Sequence, residues 1–125
     1  MESSAYYKEV IDDITKKKIE LETKKANYQE IKIILKKLSS ALTKPIENMQ
    51  SAERNFENGG YYVGGQTPGN GALKKSVKKL INAQEDLEII IKKTSKDISE
   101  FEIEIQRLKE QLETAVSNYR IALKS

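Results

Sequence analysis

The side chains that perform most protein chemistry are either missing from this sequence or scattered along it. It contains neither cysteine nor histidine, so it offers no disulfide, thiolate nucleophile, imidazole base or ordinary zinc site. Carboxylate pairs occur at Asp12–Asp13 and Glu102–Glu104, but their strongly charged surroundings are typical of solvated helix faces. No spacing fits an EF-hand. We therefore expect no catalytic residue, cofactor or metal ion, and we expect that the protein is not an enzyme.

All 6 glycines lie in the stretch ENGGYYVGGQTPGNG, which is residues 57–71. No strand precedes the glycine pairs and the spacing is not that of a phosphate-binding loop, so a nucleotide site is not indicated. The stretch is longer than the roughly two to eight residues that usually join packed helices. The candidate tip residues are Gly59, Gly60, Tyr61, Tyr62, Gly64 and Gly65. The two tyrosines either fold back onto Phe56 and Leu73 or remain exposed as a recognition tip.

The segment before this stretch carries a seven-residue repeat. The first series of the repeat is Tyr7, Ile14, Leu21, Tyr28, Leu35, Leu42, Met49 and Phe56. A second series follows three residues later: Val10, Lys17, Lys24, Ile31, Leu38, Pro45 and Ala52. A sustained repeat of this kind predicts a helix whose stripe faces one partner helix. The stems of Lys17 and Lys24 in the second series are expected to cover apolar surface while their ammonium groups reach water. Three glutamates of the second helix lie at suitable heights to meet these lysines: Glu104, Glu110 and Glu113.

The segment after the glycines repeats the pattern. Its first series is Leu73, Leu80, Leu87, Thr94, Phe101, Leu108, Ala115 and Ala122. Its second series is Val77, Gln84, Ile91, Ile98, Ile105, Leu112 and Tyr119. We predict one all-α domain over residues 1–125, a long antiparallel, coiled-coil-like hairpin of two helices. Helix 1 covers about residues 3–57, a glycine-rich loop 58–71 and helix 2 about 72–124, which brings Tyr28 beside Phe101.

Pro45 interrupts the helical pattern of the first segment. Inside a helix, proline removes one hydrogen bond and clashes with the preceding turn, at a cost of roughly 3 kcal/mol. The residue is therefore a candidate hinge, and helix 1 is either kinked there or broken, with Pro45 opening a new helix. The antiparallel pairing predicts Gln84 opposite Pro45.

Five isoleucines lie outside the predicted seam and are the candidate partner-binding residues: Ile33, Ile34, Ile89, Ile90 and Ile103. Scattered surface isoleucines are common in proteins. However, a bare hairpin buries little apolar surface, and a contiguous exposed patch usually marks a protein interface. We favour a docking face for further helices.

The charges do not form a basic arm. Residues 1–58 carry 11 basic and 10 acidic groups and residues 72–125 carry 11 and 9, so we expect no nucleic-acid partner. The run Lys74, Lys75, Lys78 and Lys79 serves solubility or meets an acidic partner or a lipid headgroup. No apolar run approaches the roughly 20 residues that cross a bilayer. The N-terminus MESSAYYKEV lacks the features of a Sec signal peptide.

The chain resembles the YwqH-like small helical proteins of Gram-positive bacteria, whose genes lie beside LXG polymorphic toxins of the type VIIb secretion system. The resemblance covers nearly the whole chain: YYKEVIDDITKKKIELETKKANYQEI and DISEFEIEIQRLKEQLETAVSNYRIAL flank AERNFENGGYYVGGQTPGNGALKKSVKKL. It implies an accessory targeting factor or chaperone that binds the helical N-terminal LXG domain, together with a second small helical protein. It also implies a bacterial cytoplasmic location, with export alongside the toxin left open.

Two departures from related export substrates matter. Those substrates have a Trp-x-Gly turn, whereas this chain has no tryptophan. They also carry a tyrosine followed four residues later by an acidic residue, whereas Leu123 follows Tyr119 and Ile105 follows Phe101. We therefore expect a partner to supply or complete the export signal.

Two alternatives to toxin binding stay open. The chain is a self-associating structural coiled coil, two hairpins of which form a homodimeric four-helix bundle. The least favoured alternative is contact with an anionic membrane through the lysines of residues 74–79.

Overall fold

The computed structural model describes residues 2–58 and 70–125, without the side chains of residues 57, 58 and 70. Helix α1 spans Ser4–Asn58 and helix α2 spans Asn70–Lys124, each 55 residues long, and the described part of the chain contains no strand. The predicted all-α, two-helix hairpin is thereby confirmed. Six candidate tip residues lie outside the described residues: Gly59, Gly60, Tyr61, Tyr62, Gly64 and Gly65.

Local sequence explains where α1 begins and why it continues. The Ser3 hydroxyl accepts a hydrogen bond from the Tyr6 backbone N–H at 3.2 Å, as an N-cap residue does, and this satisfies a donor that the first turn cannot use. Beyond this cap, α1 contains no glycine and is rich in lysine and glutamate, which favour the helix.

Pro45 lies inside α1, which is continuous from Ser4 to Asn58. Of the two alternatives left open by the sequence, a helix that ends before Pro45 and restarts there is therefore wrong. A kink at this position stays a prediction. The side chain of Pro45 is exposed, so its ring does not interrupt the contact between the helices.

The contacts between the two helices fall into two compact units. The terminal unit consists of Met1–Ile31 and Thr94–Ser125, and the central unit is Lys32–Lys93. Each unit contains a section of α1 and a section of α2. Whether residues 1–125 fold as one domain stays a prediction.

The terminal unit has a core of aliphatic and aromatic side chains. Its buried apolar residues are Ile98, Ile105, Leu108 and Ala115. The Tyr28 and Phe101 rings meet edge to face, with centroids 5.0 Å apart and planes at 85°. This contact confirms the register that the sequence predicted for the pair. Edge-to-face geometry brings the positive rim of one ring to the negative face of the other.

The seam of the central unit combines apolar and polar side chains. Ile46, Val77 and Ile91 are buried there, and so is Ser39, which is only 5% exposed. The Ser39 hydroxyl donates to Glu88 Oε1 at 2.6 Å. Gln84 Nε2 donates to the backbone oxygen of Ser39 at 2.8 Å and to Thr43 Oγ1 at 3.1 Å. These bonds satisfy polar groups that would otherwise be costly to remove from water.

The first predicted series of α1 is correct, but the second is wrong by one residue. All eight members of the first series are half-buried: Tyr7, Ile14, Leu21, Tyr28, Leu35, Leu42, Met49 and Phe56. Within the second series, Val10 and Ala52 are half-buried, whereas the five between them are exposed: Lys17, Lys24, Ile31, Leu38 and Pro45. The positions one residue later are buried or half-buried: Ile11, Lys18, Lys25, Lys32, Ser39, Ile46 and Glu53.

Polar contacts between the helices accompany this orientation of α1. With Ser39 in the seam, the Gln84 amide donates to the backbone oxygen of Ser39 and to Thr43 Oγ1. In the terminal unit, Lys25 pairs across the helices, with Nζ 3.5 Å from Glu102 Oε1. Lys18 pairs within α1, with Nζ 3.4 Å from Glu22 Oε1.

Contacts from Lys17 and Lys24 to glutamates of the second helix were expected, and this expectation was wrong. Both lysines are exposed, because these positions of the second predicted series of α1 face away from α2. Of the expected glutamates, Glu104 Oε2 accepts from Arg107 Nη1 within α2 at 2.8 Å.

Candidate interaction surface

The five isoleucines predicted from the sequence are all exposed. Their exposed fractions are 53% for Ile33, 56% for Ile34, 65% for Ile89, 46% for Ile90 and 62% for Ile103. Exposure of so many long aliphatic side chains agrees with a surface that partners could cover. Their role in partner binding stays a prediction.

The structure does not bring the five isoleucines together in one patch. Ile33 and Ile34 are successive residues of α1, so their side chains leave the helix about 100° apart, and the same holds for Ile89 and Ile90 on α2. Ile103 belongs to the terminal unit, whereas the other four belong to the central unit. Each isoleucine must therefore be assigned to a side of its own unit.

One side of the central unit is a polar groove. It has a volume of about 500 Å³, and Thr43 of α1 lines it with Ile81 and Glu88 of α2. Each of these three residues directly follows a seam leucine: Leu42, Leu80 or Leu87. The position one residue after a seam leucine therefore points to the polar groove on both helices.

The other side of the central unit is apolar. A residue three positions after a seam leucine leaves the helix on the side opposite to the groove, since successive residues turn by about 100°. On α1 these positions hold Leu38 and Pro45, and on α2 they hold the polar, half-buried Ser76 and the exposed Ala83 and Ile90. Ile34 and Ala41 adjoin the α1 pair at helical spacings of three and four residues.

These six residues form what we call the central apolar face: Ile34, Leu38, Ala41, Pro45, Ala83 and Ile90. All six are exposed, and the long side chains remain 56% exposed at Ile34, 50% at Leu38 and 46% at Ile90. The central apolar face thus contains two of the predicted isoleucines, Ile34 and Ile90. It also contains Leu38 and Pro45, which the sequence had placed in the seam. Ile33 and Ile89 lie on α1 and α2 outside it.

Lysines border the central apolar face on both helices. Lys37 and Lys44 lie beside the residues of the face on α1. Lys79 and Lys93 lie beside its residues on α2, where Asp86 adds one negative charge. All four lysines are exposed, and no ion pair found among the described residues involves any of them. We call these four residues the lysine rim.

The fold reveals a charge asymmetry that the two halves of the sequence conceal. The central unit carries 11 basic and 6 acidic residues, a net charge of +5. The terminal unit carries 11 basic and 13 acidic residues, a net charge of −2. Both units carry the same number of basic residues, so the net positive charge of the central unit arises because it has fewer acidic residues.

The terminal unit has a shallow groove of its own near the start of α1. It has a volume of about 470 Å³ and lies between Tyr6 and Val10 on α1 and Arg107 and Thr114 on α2. The Tyr6 ring meets the Tyr7 ring edge to face, with centroids 5.3 Å apart. The groove is lined by both apolar and charged side chains.

Residues 2–58 and 70–125 contain no cluster of three or more acidic side chains that could hold a metal ion. Neither described helix has an apolar segment long enough to span a bilayer. The chain matches no known family profile, no curated protein and no solved structure.

Sequence reasoning missed four members of the central apolar face. Leu38 and Pro45 were assigned to the seam, and Ala41 and Ala83 were not singled out. The available signal was the i, i+3, i+7 spacing of Ile31, Ile34 and Leu38, which marks a second stripe beside the first.

Proposed function

We propose that the chain is a non-catalytic accessory protein that binds the helical LXG domain of a polymorphic toxin. In this proposal it acts as a targeting factor or chaperone for type VII secretion, in the bacterial cytoplasm. A second small helical protein joins the complex, and export of the chain with its toxin belongs to the same proposal.

The observation that carries this proposal is the incomplete core of the hairpin. Among the described residues, no large side chain is less than 2% exposed, and eleven large apolar or aromatic side chains are 46% to 65% exposed. Two helices can bury only one stripe each, and every further apolar stripe needs another helix to cover it. A partner that is itself helical supplies such cover, as an LXG domain would.

The specific identity of the partner rests on the sequence resemblance. The resemblance to the toxin-associated proteins rests on the stretch FENGGYYVGG and on the flanking repeats of this chain. The exposed side chains support a helical partner, and the resemblance supports an LXG domain as that partner.

Co-expression with an LXG-domain protein encoded beside the chain in the same genome tests the proposal. We expect the two proteins to elute together in size-exclusion chromatography at about 10 µM, a concentration at which a micromolar affinity is sufficient. Separate elution, with and without a second small helical protein from the same locus, would contradict the proposal.

Light scattering on the isolated chain tests the alternative of a self-associating coiled coil. A stable dimer that persists when the LXG protein is added would favour this alternative. A dimer that dissociates into a heteromeric complex would agree with the proposed function, because the partner then covers the same apolar surface.

A further inference from the structure

The central apolar face combines large and small exposed side chains, a composition that suits the docking of a helix. Ile34 and Leu38 stand along α1 and Ile90 along α2, each about half exposed. The smaller side chains of Ala41 and Ala83 lie along the same two helices. A line of large side chains next to small ones gives ridges and a depression, into which the ridge of a third helix can pack.

The lysine rim gives this face a chemical preference. Lys37 and Lys44 border it on α1, Lys79 and Lys93 border it on α2, and Asp86 is the single acid at the border. The ion pairs found among the described residues leave all four lysines out. Together with the net charge of +5 of the central unit, this arrangement favours a partner that carries acidic residues.

We propose that the central apolar face binds an amphipathic helix whose apolar stripe is flanked by aspartate or glutamate. This inference rests on the proposed function, because it states which surface and which helix chemistry would form the complex. The apolar side chains supply contact area, and the lysine rim orients the helix and excludes partners with basic flanks.

A second copy of this chain fits the face less well. Pairing two central apolar faces would bring one lysine rim against another, and like charges at close range oppose association. A lipid surface also fits less well, because membrane-surface helices commonly insert tryptophan or phenylalanine and the six residues of the face include no aromatic side chain.

Two synthetic amphipathic helical peptides with the same leucine and isoleucine stripe provide the probe. One carries glutamates beside the stripe and the other carries lysines at the same positions. We expect the glutamate peptide to bind the full chain at least about tenfold more tightly in fluorescence anisotropy, since four lysines face its flanks. Equal binding of both peptides, or binding of neither, would overturn the inference.

Matched substitutions locate the surface. Leu38→Asp and Ile34→Asp should each weaken binding of the glutamate peptide about tenfold or more, because they place a charge among the contacts. Ile33→Asp and Ile89→Asp are the controls, because these residues are as exposed but lie outside the face. Leu38→Gln gives a milder second variant, and circular dichroism checks that helix content is unchanged. Equal losses in controls and test variants would overturn the inference.

Binding of the LXG protein, of the peptides and of anionic vesicles together distinguishes this inference from its alternatives. If the LXG protein co-elutes with the chain and Leu38→Asp does not weaken the complex, the proposed function stands and this inference is wrong. If the LXG protein fails to bind but the peptides behave as expected, the inference stands for another acidic helix. Co-sedimentation of the chain with anionic vesicles that depends on Leu38, without a difference between the peptides, would assign the face to membranes.

Discussion

The terminal and central units are built from the same two helices but use their side chains differently. In the terminal unit, the buried residues include Ile98, Ile105 and Leu108, and two aromatic rings meet in the seam. In the central unit, buried Ser39 and half-buried Gln84 occupy seam positions and are joined by hydrogen bonds, while Leu38 is turned outward. Both units expose large apolar or aromatic side chains, six in the terminal unit and five in the central unit, and the terminal unit also buries the polar Thr94. The hydrogen bonds that Gln84 and Glu88 make with Ser39 are the polar contacts described across the central seam.

The two units also differ in their ion pairs and in their balance of charge. All three ion pairs found among the described residues lie in the terminal unit, which is nearly balanced in charge: Lys18–Glu22, Lys25–Glu102 and Arg107–Glu104. In the central unit, the lysine rim is not engaged in such pairs. The terminal unit therefore has nearly equal numbers of basic and acidic residues and an ion pair between the helices at Lys25 and Glu102, whereas the central unit carries a net positive charge that includes the lysine rim.

Removing a core side chain of the terminal unit is expected to have the largest effect on stability. Ile105 is 6% exposed, so Ile105→Ala removes buried methyl groups and leaves a cavity. We expect it to lower the free energy of unfolding by about 3 kcal/mol, measured by urea denaturation followed by circular dichroism.

Ile103→Ala is the matched control, because Ile103 is on the same helix and is 62% exposed. Its cost should stay within about 0.5 kcal/mol. Equal costs at both positions would mean that Ile105 does not face α1, and the description of the terminal core would fail.

The turned-out orientation of α1 predicts a difference in chemical accessibility within the central unit. The chain has no cysteine, so single cysteines can be introduced by Leu38→Cys and by Ser39→Cys. Leu38 is 50% exposed and Ser39 is 5% exposed. We expect a maleimide to react about tenfold faster at position 38, an apparent difference near 1.4 kcal/mol.

A pair at Lys24→Cys and Lys25→Cys provides the comparison in the terminal unit. Position 24 is exposed and position 25 is half-buried, so the ratio there should have the same sign but a smaller size. Faster reaction at position 39 than at position 38 would mean that position 38 faces α2, as the sequence predicted.

The sequence predicts most of this fold, because a seven-residue repeat is visible in the types of residue alone. The first series of α1 and both series of α2 are correct, and the pairing of Tyr28 with Phe101 follows from them. The second series of α1 could not be chosen in this way. Ile31 and Leu38 are more apolar than Lys32 and Ser39, and burial alone therefore favours the wrong residues.

Polar contacts between the helices accompany the observed orientation of α1, and the sequence of a single helix does not reveal them. Gln84 donates to the backbone oxygen of Ser39 and to Thr43 Oγ1 in the register that places Ser39 in the seam. The same limit applies to the candidate site. Counting exposed isoleucines finds Ile34 and Ile90 but does not separate them from Ile33 and Ile89, because that distinction depends on how far each helix is turned toward its neighbour.

The smallest predicted effect concerns the ion pair between the helices in the terminal unit. Lys25 Nζ lies 3.5 Å from Glu102 Oε1, with side chains 30% and 53% exposed, so water screens much of the attraction. A double-mutant cycle of Lys25→Met and Glu102→Gln should give a coupling of about 0.2 to 0.5 kcal/mol that fades in about 1 M salt.

Lys37→Met in the lysine rim sharpens the comparison, because this exposed lysine is outside the ion pairs found among the described residues. It should change the free energy of unfolding by less than about 0.3 kcal/mol and still weaken binding of the glutamate peptide, whereas Lys25→Met should affect stability and leave peptide binding unchanged. If both substitutions altered stability and binding alike, the assignment of Lys25 to folding and of Lys37 to recognition would be wrong. Opposite responses would show that lysines of one helix act in folding at one site and in recognition at another, because the register of that helix decides which of them meet a carboxylate.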